Sequence, residues 1–387
     1  MAYAQRTTHL RPEGAYQVLA KANQLEAAGR KIIHFEIGQP DFETFPNVSM
    51  AGIRAISQGR TRYTSPSGMP SLCEAIAEDC GRRRGIQVDP AQVVVGPGAK
   101  PALFFPTLAL VEPGDEVIYP DPGFPTYEAM IRVAGGVPVA VPLLEENSFS
   151  FDLQAFDKLV NQRTKLVILN SPGNPTGGVM PLADLEHIAQ KAMEEDFWVM
   201  SDEIYARIAY DGLAAPSISS IPGMQARTII VDGFSKTYAM TGWRLGYGIM
   251  PRGLADSVGL LLTHSIGSTA MFTQYAGVEA VLGQQEQVEA MVAEYQRRRD
   301  VIVAGLNSIP GIRCQKPRGA FYVFPNITGT GLGSNELANL ILEKAGVALL
   351  PGSSFGEFGE GYLRISYANT LENIERGLEQ IRSVLKT

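Results

Sequence analysis

The 387 residues are 45% apolar and 19% charged, with a formal net charge of −7. That balance describes a globular chain with a substantial buried core, long enough for one large domain and a smaller one. Acidic and basic residues are interspersed, not gathered in a tail, which argues against nucleic acid or an anionic membrane as partner. Cys73, Cys80 and Cys314 are odd in number and lack CxxC spacing, and His9, His34, His187 and His264 share no metal-ligand spacing. Neither a disulfide framework nor a metal site is expected. The N-terminus is polar and no run of eighteen apolar residues occurs, so the expected compartment is the cytoplasm.

In chain order, residues 15–28 predict an amphipathic helix with Val18, Leu19, Ala22 and Leu25 on its apolar face and Gly29 as its stop. Residues 31–35 lead into Glu36-Ile37-Gly38-Gln39-Pro40-Asp41-Phe42, where Gly38 permits a close backbone approach and Pro40 turns the chain. Helical stretches 48–58 and 71–83 flank a loop that contains Tyr63. The second ends in Arg82-Arg83-Arg84 before Gly85, a basic cluster suited to the negative end of the helix dipole.

A β-branched strand at 92–95 runs through Gly96-Pro97-Gly98-Ala99-Lys100-Pro101 into a helical run, 102–110. Strand, glycine turn and helix start present free N–H groups to an anion, although the GxxxxGK[ST] spacing of a P-loop is absent. The strand at 115–119 ends at Asp121-Pro122-Gly123-Phe124-Pro125-Thr126-Tyr127; an aromatic between two prolines is stiff and suited to stacking on a flat ring. Strand 137–141, helix 153–160 and strand 165–169 continue the alternation, which predicts a parallel, doubly wound sheet. Its ligands bind at the carboxyl ends of the strands, where Asn170-Ser171-Pro172-Gly173-Asn174-Pro175-Thr176-Gly177 lies. Helix 182–195 precedes strand 197–200 and Ser201-Asp202-Glu203-Ile204-Tyr205; an aspartate ending a buried strand is costly unless a cation pairs with it.

Strand 228–231 opens onto Gly233-Phe234-Ser235-Lys236-Thr237, followed by Gly242-Trp243-Arg244 and a second strand at 243–250. Burial disfavours the charge of a lysine delivered from a strand end and so makes the amine nucleophilic. The hydroxyl of Ser235 and the guanidinium of Arg244 are suited to hold a phosphate. A Schiff-base lysine beside a phosphate site points to pyridoxal phosphate. Helices follow at 254–264, 274–282 and 285–306, then short strands and turns. Among these Tyr362-Leu363-Arg364-Ile365-Ser366-Tyr367-Ala368 alternates as a strand, before a closing helix at 371–385.

The spaced pattern around Lys236 matches the cofactor-attachment signature of the class I and II aminotransferases. The chain resembles that family, of fold type I, and is similar to the prokaryotic-type aspartate aminotransferase subgroup, with the motifs in the family's order over nearly the full length. The resemblance implies an α/β fold with a mostly parallel central sheet flanked by helices and a smaller α+β domain. A large domain at 48–285 would bind the cofactor, and residues 1–47 and 286–387 would form the small one.

It also implies roles. Lys236 would hold pyridoxal 5′-phosphate as a Schiff base and move the proton; Asp202 would face the ring nitrogen, and Asn174 and Tyr205 the phenolic oxygen. Ser235, Arg244 and the turn Gly98, Ala99, Lys100 would hold the phosphate, with Phe124 over the ring and Tyr63 reaching across a homodimer to the partner's cofactor. Gly38, Asn174 and Arg364 would take the substrate, and Lys100 would help to recognise an acidic side chain. The implied reaction is a ping-pong ketimine exchange between an L-amino acid and a 2-oxo acid, with glutamate and 2-oxoglutarate on one side. A β-lyase or cyclising lyase would use the same cofactor residues and stays open. Phe124 departs from the Trp or Tyr common in aspartate-specific members. In the loop Arg11-Pro12-Glu13-Gly14, expected near the site mouth, Glu13 either disfavours acidic substrates or favours a cationic one.

Overall fold

The computed structural model describes residues 4–385 apart from His9 and Arg11, and apart from the side chain of Gln5; the readings made on His9 and Arg11 lie outside the described residues. Eight strands form the main sheet: β1 (Val93–Gly96), β2 (Glu116–Asp121), β3 (Val137–Leu144), β4 (Ser150–Phe151), β5 (Thr164–Asn170), β6 (Trp198–Asp202), β7 (Thr228–Gly233) and β8 (Gly246–Ile249). Their spatial order is β1-β8-β7-β6-β5-β2-β3-β4. The five strands β3, β2, β5, β6 and β7 run parallel, while β8 is antiparallel to both its neighbours and β4 closes the far edge antiparallel.

The period-2 alternation of strand side chains sorts the core into two layers. Val117, Leu166, Ile168, Met200, Ile229 and Val231 pack with helices Lys100–Leu110, Thr126–Ala134 and Arg252–Thr263. Ile118, Val167, Leu169 and Val199 face helices Leu153–Leu159 and Leu182–Glu194 on the other side. With both faces covered, these strands need apolar residues at every position, which is why they read as continuous apolar runs. Asn170 on β5 is level with Asp202 on β6, and Asp202 with Val231 on β7. The loops after these strands therefore leave the same edge together.

Short strands from both ends of the chain build a second layer. Leu363–Ser366 lies between Tyr322–Val323 and Leu350–Pro351, antiparallel to each, and Ile33–His34 pairs in parallel with Val347–Ala348. The amide of Ser366 donates to the Phe35 carbonyl at 2.9 Å, so residues 35–38 are drawn over the main sheet's loop edge. Among the described residues no helix is long and apolar enough to cross a membrane.

Two sequence expectations change. Residues 243–245 are not strand: β8 begins at Gly246, and both Ala239 (φ 50°) and Arg244 (φ 53°) adopt the left-handed backbone region in the preceding turn. The Arg82–Arg84 cluster serves carboxylates instead of the helix dipole. Arg84 is buried, with Nη2 2.6 Å from Glu203 Oε2, and Arg83 Nε lies 2.7 Å from Asp79. A guanidinium inside the protein needs a full counter-charge, and the half charge of a helix end does not supply it.

Candidate active site

Lys236 sits in a single helical turn, Phe234–Thr237, directly after β7. Its Nζ donates to the carbonyl of Gly38 at 2.5 Å and lies 5.8 Å from the centre of the Phe321 ring. Among the described residues no carboxylate comes within ion-pair distance of it. Burial, followed by the guanidinium groups of Arg364 and Arg244, pulls its pKa down to about 8, against a smaller opposing pull from Asp202. The chain thus brings an amine, two guanidinium groups and a carboxylate into one charge neighbourhood.

Asp202 ends β6 and is buried. Its carboxylate accepts from the Tyr127 hydroxyl at 2.7 Å and from the amide of Ile204 at 3.3 Å, and no cation pairs with it among the described residues. Burial pushes its pKa up to about 6 in spite of those two donors. Tyr127 in turn stands edge-on to Phe124, with ring centres 5.7 Å apart. The Tyr205 hydroxyl shares a 2.8 Å hydrogen bond with that of Tyr322, and burial holds the Tyr205 phenol well above its ordinary pKa.

Arg364 projects from the middle strand of the second layer. Its Nη1 donates to Asn174 Oδ1 at 3.2 Å and its Nη2 to the Glu36 carbonyl, while its buried Nε has no partner among the described residues. Tyr322 and Phe355 flank the guanidinium at 4.6 and 5.0 Å. Asn174 is held by its own amide, which donates to Asn170 Oδ1 at 2.8 Å. A Cβ on Gly38 would fall 1.9 Å from the Tyr322 hydroxyl oxygen, so only glycine passes between that phenol and the lysine.

The glycine turn completes the group. Gly98 (φ 89°) precedes the helix Lys100–Leu110, with Ala99 as its cap residue. A Cβ on Gly98 would meet Arg244 Nη2 at 2.3 Å, and one on Gly246 would meet the Gly98 carbonyl carbon at 2.4 Å. The turn is thereby pressed against Arg244, whose Nη1 donates to the Thr241 carbonyl at 2.9 Å. Ser235 is half-buried beside Lys236. Lys100 Nζ pairs with Glu13 Oε1 at 2.5 Å and lies 5.3 Å from the Phe124 ring centre. Tyr63 stands apart from the cluster and is 95% exposed.

Tyr127 and Tyr322 belong to this network although the sequence alone assigned them no role. The available signal was physical: a tyrosine in an apolar segment must find a partner for its hydroxyl. The residues suit pyridoxal phosphate. A buried carboxylate without a cation, a buried amine without a carboxylate, and a glycine turn against an arginine match a ring nitrogen, an aldehyde and a phosphate. Among the described residues no group of three or more His, Cys, Asp or Glu is placed to hold a metal ion.

Known proteins agree. The family described as aminotransferase class I and II matches residues 30–381. The aspartate aminotransferase of Pyrococcus abyssi is 42% identical over 364 residues, covering 93% of each chain. The aromatic-amino-acid aminotransferase 2 of Thermococcus litoralis is 38% identical over 389 residues, covering 100% of this chain and 99% of that one. The solved structure of Thermus thermophilus aspartate aminotransferase with maleate has a TM-score of 0.95 at 37% identity and covers 99% of this chain and 100% of the other. This chain belongs to the class I and II aminotransferases, fold-type I enzymes that use pyridoxal 5′-phosphate to transfer amino groups among small-molecule amino acids and 2-oxo acids.

Proposed function

We propose that the enzyme, in the manner of an aspartate aminotransferase, moves an amino group between an L-amino acid and a 2-oxo acid in a ping-pong cycle, with glutamate and 2-oxoglutarate on one side. The observation that carries the reading is Lys236: a half-buried amine with no carboxylate partner among the described residues, beside an arginine with a buried Nε that has none either. When bound, pyridoxal phosphate supplies an aldehyde for amines and a ring that withdraws electrons from the substrate's α-carbon.

In this reading the residues divide the tasks among them. A pKa near 8 leaves about one Lys236 amine in ten unprotonated at pH 7, against roughly one in several thousand for an ordinary lysine. The free amine would hold the cofactor when it is bound and would take up and return the substrate's α-proton at Nζ. Asp202 keeps the ring nitrogen protonated, and Tyr127 holds the Asp202 carboxylate. Asn174 and Tyr205 address the phenolic oxygen, while Phe124 covers the ring. Ser235, Arg244 and the turn of Gly98, Ala99 and Lys100 hold the phosphate. Arg364 grips the α-carboxylate as a guanidinium fork, with Gly38 and Asn174 beside it.

We also propose a homodimer in which Tyr63 serves the partner's phosphate site, and a division into a large part, 48–285, and a small part made of 1–47 and 286–387. Free, buried Cys73, Cys80 and Cys314 support a reducing compartment, the cytoplasm. The relatives' names favour amino transfer over the lyase alternative.

The test is Lys236→Ala. Borohydride reduction of the wild-type holoenzyme is expected to fix the cofactor to the peptide containing residue 236, read by mass spectrometry. The variant is expected to lose that adduct and about 10²- to 10⁴-fold or more in kcat. Transamination at the wild-type rate in the variant would overturn the proposal.

A further inference from the structure

We infer that Glu13 is a specificity-determining residue. It is a carboxylate of the chain itself that occupies Lys100 until an acidic substrate side chain displaces it. One site then takes both dicarboxylic and apolar or aromatic amino acids. The inference rests on the function proposed above.

Glu13 stands at the residue before the helix Gly14–Ala27, and its side chain makes no capping hydrogen bond to it. A Cβ on Gly14 would lie 2.6 Å from Ser354 Oγ, so the start of this helix is seated directly on the turn that follows Leu350–Pro351, and Glu13 is held over the site. Glu13 lines a small, partly open cavity together with Phe124, Pro125, Leu350, Ser354, Phe355 and Arg364. Arg364, with its buried and unpartnered Nε, supplies the cation for an α-carboxylate. Phe124, Pro125, Leu350 and Phe355 are apolar walls, and Ser354 adds one hydroxyl. Beside the cavity Glu13 meets Lys100, whose Nζ lies over the Phe124 ring.

A substrate anchored at Arg364 therefore has its side chain between apolar walls and the Glu13–Lys100 pair. For an aromatic or aliphatic side chain the pair is already neutral, and no charge is left uncompensated. A dicarboxylate brings a second negative charge. The side chains of Lys100 and Glu13 are 52% and 27% exposed, and a pair that open to water is held weakly. One carboxylate can replace another on Lys100 while Glu13 returns to solvent. An unpaired Lys100 would select acids alone, and an unpaired Glu13 would repel them. The pairing gives neither, and so replaces both sequence-based readings of Glu13.

Glu13→Gln keeps the shape and removes the charge. With holoenzyme and 2-oxoglutarate, the ratio of kcat/KM for aspartate to that for phenylalanine is expected to rise about threefold to fivefold, chiefly through KM for aspartate. Adding Lys100→Met is expected to reverse that rise. A loss of structure would lower both substrates together and leave the ratio unmoved; an unmoved or lowered ratio overturns the inference. Wild-type enzyme that accepts only one of the two substrates also overturns it while leaving amino transfer standing. Wild-type enzyme that accepts neither overturns the proposed function itself.

Discussion

Two residues, Lys236 and Asp202, are each placed where their ordinary charge is disfavoured, and among the described residues neither has a counter-ion within ion-pair distance. The consequence for the cofactor-free protein can be measured. Asp202 titrates at about 6 in the fold against a reference of 3.8, so ionising it inside the protein is the unfavourable step. Its contribution to stability is complete below pH 4 and is lost as pH rises through 6. Asp202→Asn removes that loss, an effect of up to about 3 kcal/mol. The cofactor-free variant is expected to melt above the cofactor-free wild type at pH 8, with the gap closing towards pH 4; a lower melting temperature at pH 8 would refute the uncompensated charge. Both residues were legible in the sequence because desolvation at a strand end is a local argument. Tyr322 was not, since its partner Tyr205 lies 117 residues away and nothing local marks the pair.

At the scale of elements, strands buried on both faces were legible to within a residue or two, as with β5 and β6, because every position had to be apolar. The turn before β8 was not, because Trp243 there resembles a strand residue while its Nε1 is spent on Thr44. The basic end of helix Pro70–Arg84 was misread for a similar reason: the Glu203 and Asp232 partners of Arg84 lie 119 and 148 residues away. Arg84 ties the end of this helix to the residues just after Asp202 and just before Gly233, and so braces the two strands that lead to Asp202 and Lys236. Arg84→Met is expected to cost about 3–5 kcal/mol in urea unfolding, because it strands Glu203 as a buried charge. Adding Glu203→Leu is expected to recover part of that loss; no recovery would mean that the ion pair is not its source.

At the scale of the whole molecule, Met50, Ile53 and Ile56 repeat along one exposed side of helix Pro46–Ser57, and the exposed Tyr63 follows on the next loop. Apolar surface at that spacing supports a covering partner, which the proposed homodimer provides. If Tyr63 acts in the neighbour's site, Tyr63→Ala and Lys236→Ala subunits should rescue each other. Equal mixtures, after exchange, are expected to regain about one quarter of wild-type activity, since half of the dimers contain one intact site. Mixtures as inactive as the separate variants would show that Tyr63 works within its own chain.

The parallel pairing of Ile33–His34 with Val347–Ala348 also orders events in time. On a ribosome the segment carrying Gly38 emerges early, yet the strand that pins it down is translated near the end. The Arg364 guanidinium that closes on the Glu36 carbonyl arrives 328 residues later. A nascent polypeptide released before that point has its reactive amine but neither the arginine clamp nor the glycine seated against it. Prematurely terminated products therefore lack the guanidinium proposed to grip the α-carboxylate, even where every residue proposed to hold the cofactor has already been made.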